Sequence, residues 1–250
     1  EERAAFFARP DTIEVRESAG GVSTPGSHPE PLYVDILGPY VYGAAGYEEM
    51  YLDAFHYARD EAEITFTLDR LEADGADFVK AYLMRSERYE APDENGEGGS
   101  TTGLDPALVP ALVEEAQARG LPIGFHVETR SDFRTIAEAG ADFAMHLPGY
   151  SATSRLEEDF RLLTEEDAET AAESGMAVIP TTLVGAVRIA EARNDPEREV
   201  DPEAVEAAYA LQAENISILH EAGVRILPGT DGNPGSVPSE VQHWVSIGAM

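Results

Sequence analysis

Four junctions of one kind recur along this chain, each joining an acidic amphipathic stretch to a short apolar run through a glycine. The four glycines are Gly75, Gly140, Gly175 and Gly223. A glycine in this position typically ends a helix, because it adopts the left-handed conformation without steric cost. Helices that alternate with short buried strands indicate βα units and a parallel sheet. The repeat therefore predicts an α/β fold.

Two α/β architectures are compatible with this repeat. A doubly wound sheet would carry a glycine fingerprint between a strand and a helix, whereas the glycine cluster of residues 96–99 lies in a hydrophilic loop. At 250 residues and 43% hydrophobic content, the chain has the size of a one-domain α/β barrel. We therefore predict one barrel domain over residues 1–250, a TIM-type (β/α)8 barrel that is incomplete because its first two βα units are missing.

The predicted elements follow from the apolar runs and the helix start and stop signals. Strands are predicted at residues 13–15, 78–83, 122–127, 142–146, 176–180 and 224–227. Helices are predicted at residues 61–73, after the N-cap Asp105, at 131–139, from a capping box at 164–167 to Gly175, and at 202–221. Loops are predicted at residues 20–31 and 92–103. Two short apolar segments, residues 34–37 and 40–42, are predicted to lie within a long connection, and a helix is predicted to begin at residue 244.

The charge balance excludes several partners. The chain has 48 acidic and 17 basic residues, a net charge of −31, which argues against binding to a nucleic-acid backbone or an anionic membrane. The carboxylates recur at helical spacing and indicate solvated helix faces; a cation-storing surface is the alternative. Such a surface suggests the cytoplasm of a salt-accumulating organism. The absence of cysteine excludes disulfides and thiolate metal sites. The sequence leaves open whether the protein forms a homo-oligomer.

The chain has only one lysine, Lys80, and sixteen arginines. Lys80 lies inside an apolar run that reads as a buried strand. A lysine amine shifts its pKa readily and accepts covalent modification, which a guanidinium does not. The alternative is a lysine that extends from a strand end to solvent.

Residues that can bind a metal lie where the predicted strands end. In a βα barrel the active site is built at the carboxyl ends of the strands. The residues found there are Lys80, His126, His146, the pair Thr181 and Thr182, and Asp231. Either histidine alone would be an ordinary core residue. Two imidazoles, a carboxylate and an amine that converge would suit zinc or a similar divalent ion.

These segments resemble strands four to eight of the amidohydrolase superfamily, and are most similar to its imidazolonepropionase-like and metal-dependent dipeptidase branch. The resemblance rests on residues 77–80, 124–128, 141–146, 178–182 and 223–231, and it extends over about residues 60–245. Its specific element is the order lysine, histidine, histidine, aspartate, with each residue at a strand end.

The resemblance implies roles for these residues. Lys80 would be carboxylated and bridge two metal ions, with Zn²⁺ as the expected metal, and His126 and His146 would bind the second ion. Asp231 would bind the first ion and act as general base and acid, taking a proton from the bridging hydroxide and delivering it to the leaving nitrogen. His28 and Tyr150 are candidates for contacting a small-molecule or dipeptide-like substrate. The alternative for His28 is an ordinary turn residue, and the alternative for Tyr150 is a residue that only contributes to packing. His56, His220 and His243 receive no role.

One departure from the family leaves the function open. The family carries a His-x-His pair on its first strand, and this chain has no two histidines two positions apart. The leading hypothesis is a metal-dependent hydrolase that uses a metal-activated hydroxide to cleave a C–N bond in a dipeptide, a cyclic amide or an acylated amine. The alternatives are a non-catalytic barrel that acts as a binding or scaffold protein, and a hydrolase of phosphoesters or lactones with the same metal site.

Overall fold

Residues 15–41, 54–90, 102–151, 160–195, 200–231 and 236–250 are described by the computed structural model of the protein. Within these ranges seven strands form one sheet, and all neighbouring strands are parallel. The strands are β1 (Gly21–Ser23), β2 (Phe55–Tyr57), β3 (Val79–Tyr82), β4 (Ile123–His126), β5 (Phe143–Met145), β6 (Ala177–Ile179) and β7 (Arg225–Ile226). The parallel α/β sheet that the sequence predicts is confirmed.

Helices connect the strands. They are α1 (Gly38–Val41), α2 (Glu61–Ala73), α3 (Val109–Ala118), α4 (Arg130–Glu138), α5 (Glu165–Ser174), α6 (Leu183–Asn194), α7 (Pro202–Glu221) and α8 (Val237–Ser246). A π-helix, Leu32–Leu37, precedes α1, and a 3₁₀ turn, Pro106–Leu108, leads into α3. None of the helices in the described ranges is long and apolar enough to cross a membrane.

The four glycine junctions have the predicted conformation. Gly75, Gly140, Gly175 and Gly223 have φ between +77° and +82°, in the left-handed region, and each follows the end of a helix. The predicted caps are also present: Thr164 and Asp167 form a reciprocal capping box at the start of α5. These local signals place the helix ends correctly because they depend only on neighbouring residues.

The strand order is β2-β1-β3-β4-β5-β6-β7. From β3 to β7 the order follows the chain without reversal. The helices outside these strands pack side by side, α3 on α4, α4 on α5 and α5 on α7, as in the wall of a barrel. Only β2 departs from this order, since it lies outside β1 at the edge of the sheet. The glycine junctions do not predict this edge.

The edge contains most of the errors in the sequence prediction. Residues 21–23, predicted as loop, form β1, and β2 was not predicted. A Cβ atom at Gly21 would overlap the Tyr82 ring, so this glycine permits close packing and does not mark a turn. The run 34–37 is helical. Of the weak strand at 13–15, residues 13 and 14 lie outside the described residues, and Val15 belongs to no strand.

Three further differences concern the second half of the chain and one loop. Helix α6 was not predicted. The last helix begins at Val237 after the N-cap Ser236 and ends at Ser246, so the prediction of a helix that starts at residue 244 was wrong. Residues 92–101 of the predicted loop, with the glycine cluster at 96–99, lie outside the described residues.

The core lies between the sheet and the helices. Leu68 on α2, Leu112 on α3 and Phe133 on α4 are fully buried in one cluster with Val79 and Phe125 of the sheet. Burial of each such side chain contributes about 1.5–3 kcal/mol. This packing fixes the strands whose ends carry the candidate site.

Candidate active site

The strands present two different faces because side chains alternate along a strand. Val22, Val79, Ala81, Ile123, Phe125, Ala144 and Val178 face the helix-packed core. Lys80 and Tyr82 on β3 alternate with these core residues, and so does His126 on β4. They therefore lie on the opposite face, where the interior of a barrel would be.

Lys80 lies in the middle of β3. It is the second of four strand residues, so the prediction that it ends the strand was wrong; β3 continues to Tyr82. Its register partners on the two neighbouring strands are Gly21 and Gly124. The Lys80 amine lies 5.3 Å from the centre of the Tyr82 ring. Burial lowers the pKa of Lys80 to about 8, although Asp231 opposes this shift.

Five rings from successive strand ends form a continuous cluster. The ring centres of His126 and His146 are 4.4 Å apart, and Tyr150 stacks on His146 at 4.2 Å. His28 lies 5.1 Å from His126 and 5.0 Å from Tyr82. The strand register explains the contacts, since His126 is paired with Tyr82 on one side and with Met145, the residue before His146, on the other.

The orientation of the His146 ring is fixed by the end of β6. Its Nδ1 atom lies 2.5 Å from Thr181 Oγ1, and this hydroxyl lies 2.8 Å from the Pro180 carbonyl oxygen. The carbonyl can only accept, so the hydroxyl satisfies both contacts when it donates to Pro180 and accepts from a proton on Nδ1. That tautomer leaves Nε2 of His146 with a lone pair. Burial holds the pKa of His146 well below its usual value, so the ring is neutral.

His126 has an unused nitrogen next to a carboxylate. Its Nε2 atom is buried and makes no hydrogen bond to the described part of the chain. The nearest carboxylate oxygen, Glu128 Oε1, lies 3.8 Å away, which is too long for a hydrogen bond. Burial lowers the pKa of His126 against the opposing effect of Glu128. Burial raises the pKa of Glu128, but His126, Arg85 and His28 together hold it below its usual value.

The two histidines fit a divalent ion as part of a ligand set. In the described part of the chain, the buried Nε2 of His126 has no partner, and the Nδ1 contact of the neighbouring His146 leaves a lone pair on its Nε2. Two such imidazole donors are typical of zinc sites. Over the described ranges, however, no group of three or more histidine, cysteine, aspartate or glutamate side chains is arranged to hold a metal ion. The pair therefore supplies part of a coordination shell.

Asp231 follows the last strand by five residues. Its side chain is exposed, and its backbone has a φ of +49°. Its negative charge favours higher pKa values at Lys80, His126 and Tyr150, so the carboxylate lies within electrostatic range of the ring cluster. His146 and Thr181 also have positive φ values, +95° and +52°. Left-handed backbone at non-glycine residues is strained and is common at functional sites.

The two candidate substrate residues border the ring cluster. Burial lowers the pKa of His28 to about 4, with repulsion from His126 as the next cause. Tyr150 is 5% exposed, and burial raises the pKa of its hydroxyl. Helix α7 holds the loop that carries Tyr150: the Gln212 amide donates to the carbonyls of Gly149 and Tyr150, and Asn215 donates to that of Pro148.

Four residues of the site received no role from the sequence. Tyr82 lies two positions after Lys80 and Glu128 two positions after His126, so each shares a strand side with a predicted residue and could have been found from that spacing. Thr181 was noted as a strand-end residue, but its hydrogen bond to His146 depends on how β5 and β6 are aligned. Arg85 lies 3.9 Å from Glu128, a contact between two loops that the sequence does not show.

Solved structures identify the class of fold to which the sheet belongs. The chain is similar to an Xaa-Pro dipeptidase with methionine bound in its active site, with a TM-score of 0.66 and 19% identity over 99% of this chain and 56% of that one. It is also similar to the ochratoxinase of A. niger (TM-score 0.64, 19% identity, 95% and 51% covered) and to an amidohydrolase (TM-score 0.59, 20% identity, 90% and 51% covered). No family model and no curated protein matches the chain.

These matches establish the fold as an α/β barrel, of which the seven strands form a part. This confirms the barrel over the doubly wound sheet. The resemblance seen in the sequence is consistent with these neighbours. The chain spans about half the length of the solved structures it matches.

Proposed function

We propose that the protein is a metal-dependent hydrolase of the amidohydrolase type that cleaves a C–N bond in a dipeptide, a cyclic amide or an acylated amine. The observation that carries this proposal is the pair of buried imidazoles at adjacent strand ends: Nε2 of His126 is buried without a partner in the described part of the chain, and the Thr181 contact on Nδ1 of His146 leaves a lone pair on its Nε2. The dipeptidase and amidohydrolase among the structural neighbours support the choice of bond.

Each residue has a defined part in this proposal. His126 and His146 hold a divalent ion, Zn²⁺ being the best match to two imidazoles. A bound ion of this kind lowers the pKa of a water molecule to about 7 and polarises a carbonyl group. Asp231, exposed at the mouth of the site, takes a proton from the attacking water and gives one to the leaving nitrogen. His28 and Tyr150 contact the substrate.

Lys80 carries the second part of the proposal. Its pKa of about 8 means that a substantial fraction of the amine is neutral near pH 8, and a neutral amine adds to carbon dioxide. The addition forms an N–C bond and releases the amine proton, which leaves a carboxylate on the side chain. This carboxylate would supply an oxygen ligand for a divalent ion. Arginine could not replace lysine in this role.

Zinc binding tests the metal site. Titration of the metal-free chain with Zn²⁺, followed by calorimetry, is expected to show binding that His126→Ala and His146→Ala reduce at least tenfold. His220→Ala is the matched control, because His220 is an exposed helix residue. Equal zinc affinity in all four proteins would contradict the metal site.

Activity and lysine modification test the reaction. We expect the zinc-loaded protein to hydrolyse members of a panel of dipeptides and cyclic amides, and ¹³C-bicarbonate to label wild-type protein but not Lys80→Arg. Hydrolysis of phosphoesters or lactones alone would replace the C–N assignment. Zinc binding without any hydrolysis would favour a non-catalytic binding protein.

A further inference from the structure

A buried carboxylate from the last helix caps the start of α6. Glu240 on α8 is fully buried and accepts hydrogen bonds from the backbone N–H groups of Thr182 at 2.7 Å and Leu183 at 2.8 Å. The hydroxyl of Thr182 and Nε1 of Trp244 donate to it at 3.0 and 2.9 Å. Four donors on one buried carboxylate make a strong, charge-assisted anchor. The anchor joins two helices that are distant in sequence.

The anchored turn includes the residue that orients His146. Thr181 directly precedes the capped residues, and its hydroxyl contacts Nδ1 of His146. Its backbone has a φ of +52°, which a β-branched residue adopts only when the surroundings enforce it. The hydrogen bonds from Thr182 and Leu183 to Glu240 hold the backbone on the C-terminal side of Thr181 in this conformation. The position of the Thr181 hydroxyl therefore depends on Glu240.

We propose that Glu240 is a positioning residue for the candidate metal site. By holding the turn of residues 181–183, it keeps the Thr181 hydroxyl as the acceptor for Nδ1–H of His146, and so keeps Nε2 of His146 open to a metal ion. A partner that fixes the tautomer of a metal-binding histidine commonly controls metal affinity. The proposal rests on the proposed function for its metal, but the tautomer is a property of the metal-free chain.

The test is the Glu240→Gln variant. An amide has one acceptor oxygen, and its NH₂ group would face the N–H donors, so the variant cannot keep all four contacts. In metal-free protein labelled with ¹⁵N-histidine, we expect the His146 signals to shift toward the Nε2–H tautomer. The zinc affinity should fall 10–100-fold. With six histidines in the chain, the signals can be assigned by single substitutions.

Asp167→Asn is the matched control. Asp167 is an equally buried carboxylate that accepts from the N–H and hydroxyl of Thr164 and from Nε of Arg134, at the start of α5. The Asp167→Asn substitution should lower the stability of the fold and leave the ¹⁵N signals of His146 unchanged. Thr181→Val should shift His146 as Glu240→Gln does, and the double variant should add little, because both act on one hydrogen bond.

Two outcomes would overturn the proposal. The first is an unchanged His146 tautomer in Glu240→Gln together with a loss of stability like that of Asp167→Asn. The second is full additivity of Glu240→Gln and Thr181→Val. If Glu240→Gln does not fold, Trp244→Phe serves in its place, because it removes one donor and is expected to shift His146 partially. Failure of the wild type to bind zinc would contradict the proposed function but not the tautomer effect.

Discussion

The carboxyl edge of the sheet has two unlike sides. On the histidine side, formed by His126, His146 and Thr181 at the ends of β4 to β6, every side chain is buried. On the aspartate side, after β7, Asp231 is exposed. Burial keeps the imidazoles neutral and able to bind a ligand, whereas exposure lets a carboxylate exchange protons with water. The contrast suggests that the histidine side binds a ligand and that the aspartate side transfers protons.

Asp231→Asn is expected to have the largest effect on activity. Loss of general acid–base function typically costs 10²–10⁴-fold, and Asn should leave the zinc bound by the histidine side largely in place. Asp201→Asn is the control, because Asp201 caps α7 by accepting from Glu203 N–H and Asn caps nearly as well. If the turnover of Asp231→Asn is near that of the wild type, Asp231 does not transfer protons in the reaction, and the proposed difference in function between the two sides is wrong.

Asn215→Ala tests how firmly the histidine side is held. The buried Asn215 side chain accepts from Leu163 N–H and donates to the carbonyls of Pro148 and Arg161. Its removal leaves buried polar groups unsatisfied and should cost about 2–4 kcal/mol in the free energy of unfolding. Urea denaturation measures this loss, with the exposed, neighbouring Glu214→Ala as the control. A loss below about 0.5 kcal/mol would show that the loop carrying Tyr150 does not depend on α7.

The pH dependence of the metal-free protein follows from the buried histidines. Burial lowers the pKa of His28 to about 4 from 6.5 and also lowers that of His126 and His146. The unfolded chain therefore binds protons near pH 6.5 that the folded chain does not bind. The contribution of these histidines to stability is complete above about pH 6.5 and is lost as the pH decreases toward 4.

Lys80 extends this dependence to high pH. Its pKa is lowered from 10.5 to about 8, so stability should rise as the pH increases from 8 toward 10.5. Thermal melts from pH 4 to pH 10 measure both slopes, and we expect changes of several degrees, at about 2–4 °C per kcal/mol. His28→Gln should flatten the acid slope, and Lys80→Met the alkaline one. Unchanged slopes in these variants would assign the pH effect to other groups.

Salt should act least on the buried histidine side. A net charge of −31 opposes compaction unless it is screened, so the melting temperature should rise by a few degrees from low to molar potassium chloride. The ¹⁵N signals of His146 should not change over the same series, because buried contacts are screened much less. A constant or falling melting temperature would contradict the prediction of a salt-dependent fold.

Local signals predicted most of the fold. The glycine junctions and the caps at Asp105 and Thr164 correctly predicted the parallel sheet and most of the helices, because each depends on residues close in sequence. Strands β1 and β2 were missed because neither follows one of the four glycine junctions and because Gly21 looks like part of a turn. Its actual role is to leave space for Tyr82, which is 61 positions away.

The candidate site was predicted by residue type and strand position. His126 and His146 were expected to meet, and the structure brings them into contact. The sequence could not show that Thr181 orients His146 or that Arg85 approaches Glu128. These contacts depend on register between strands and on the paths of loops. Lys80 was placed at a strand end although the predicted strand, residues 78–83, extends beyond it, and the structure places it inside β3.

The left-handed backbone at His146, Thr181 and Asp231 has a consequence for protein engineering. Glycine or asparagine would adopt these φ values at lower cost than the native residues, so substitution at any of the three could raise the melting temperature. A selection for heat resistance alone would then favour loss of the residues that we assign to the reaction. Directed evolution of this protein should therefore select for zinc retention and thermal stability together.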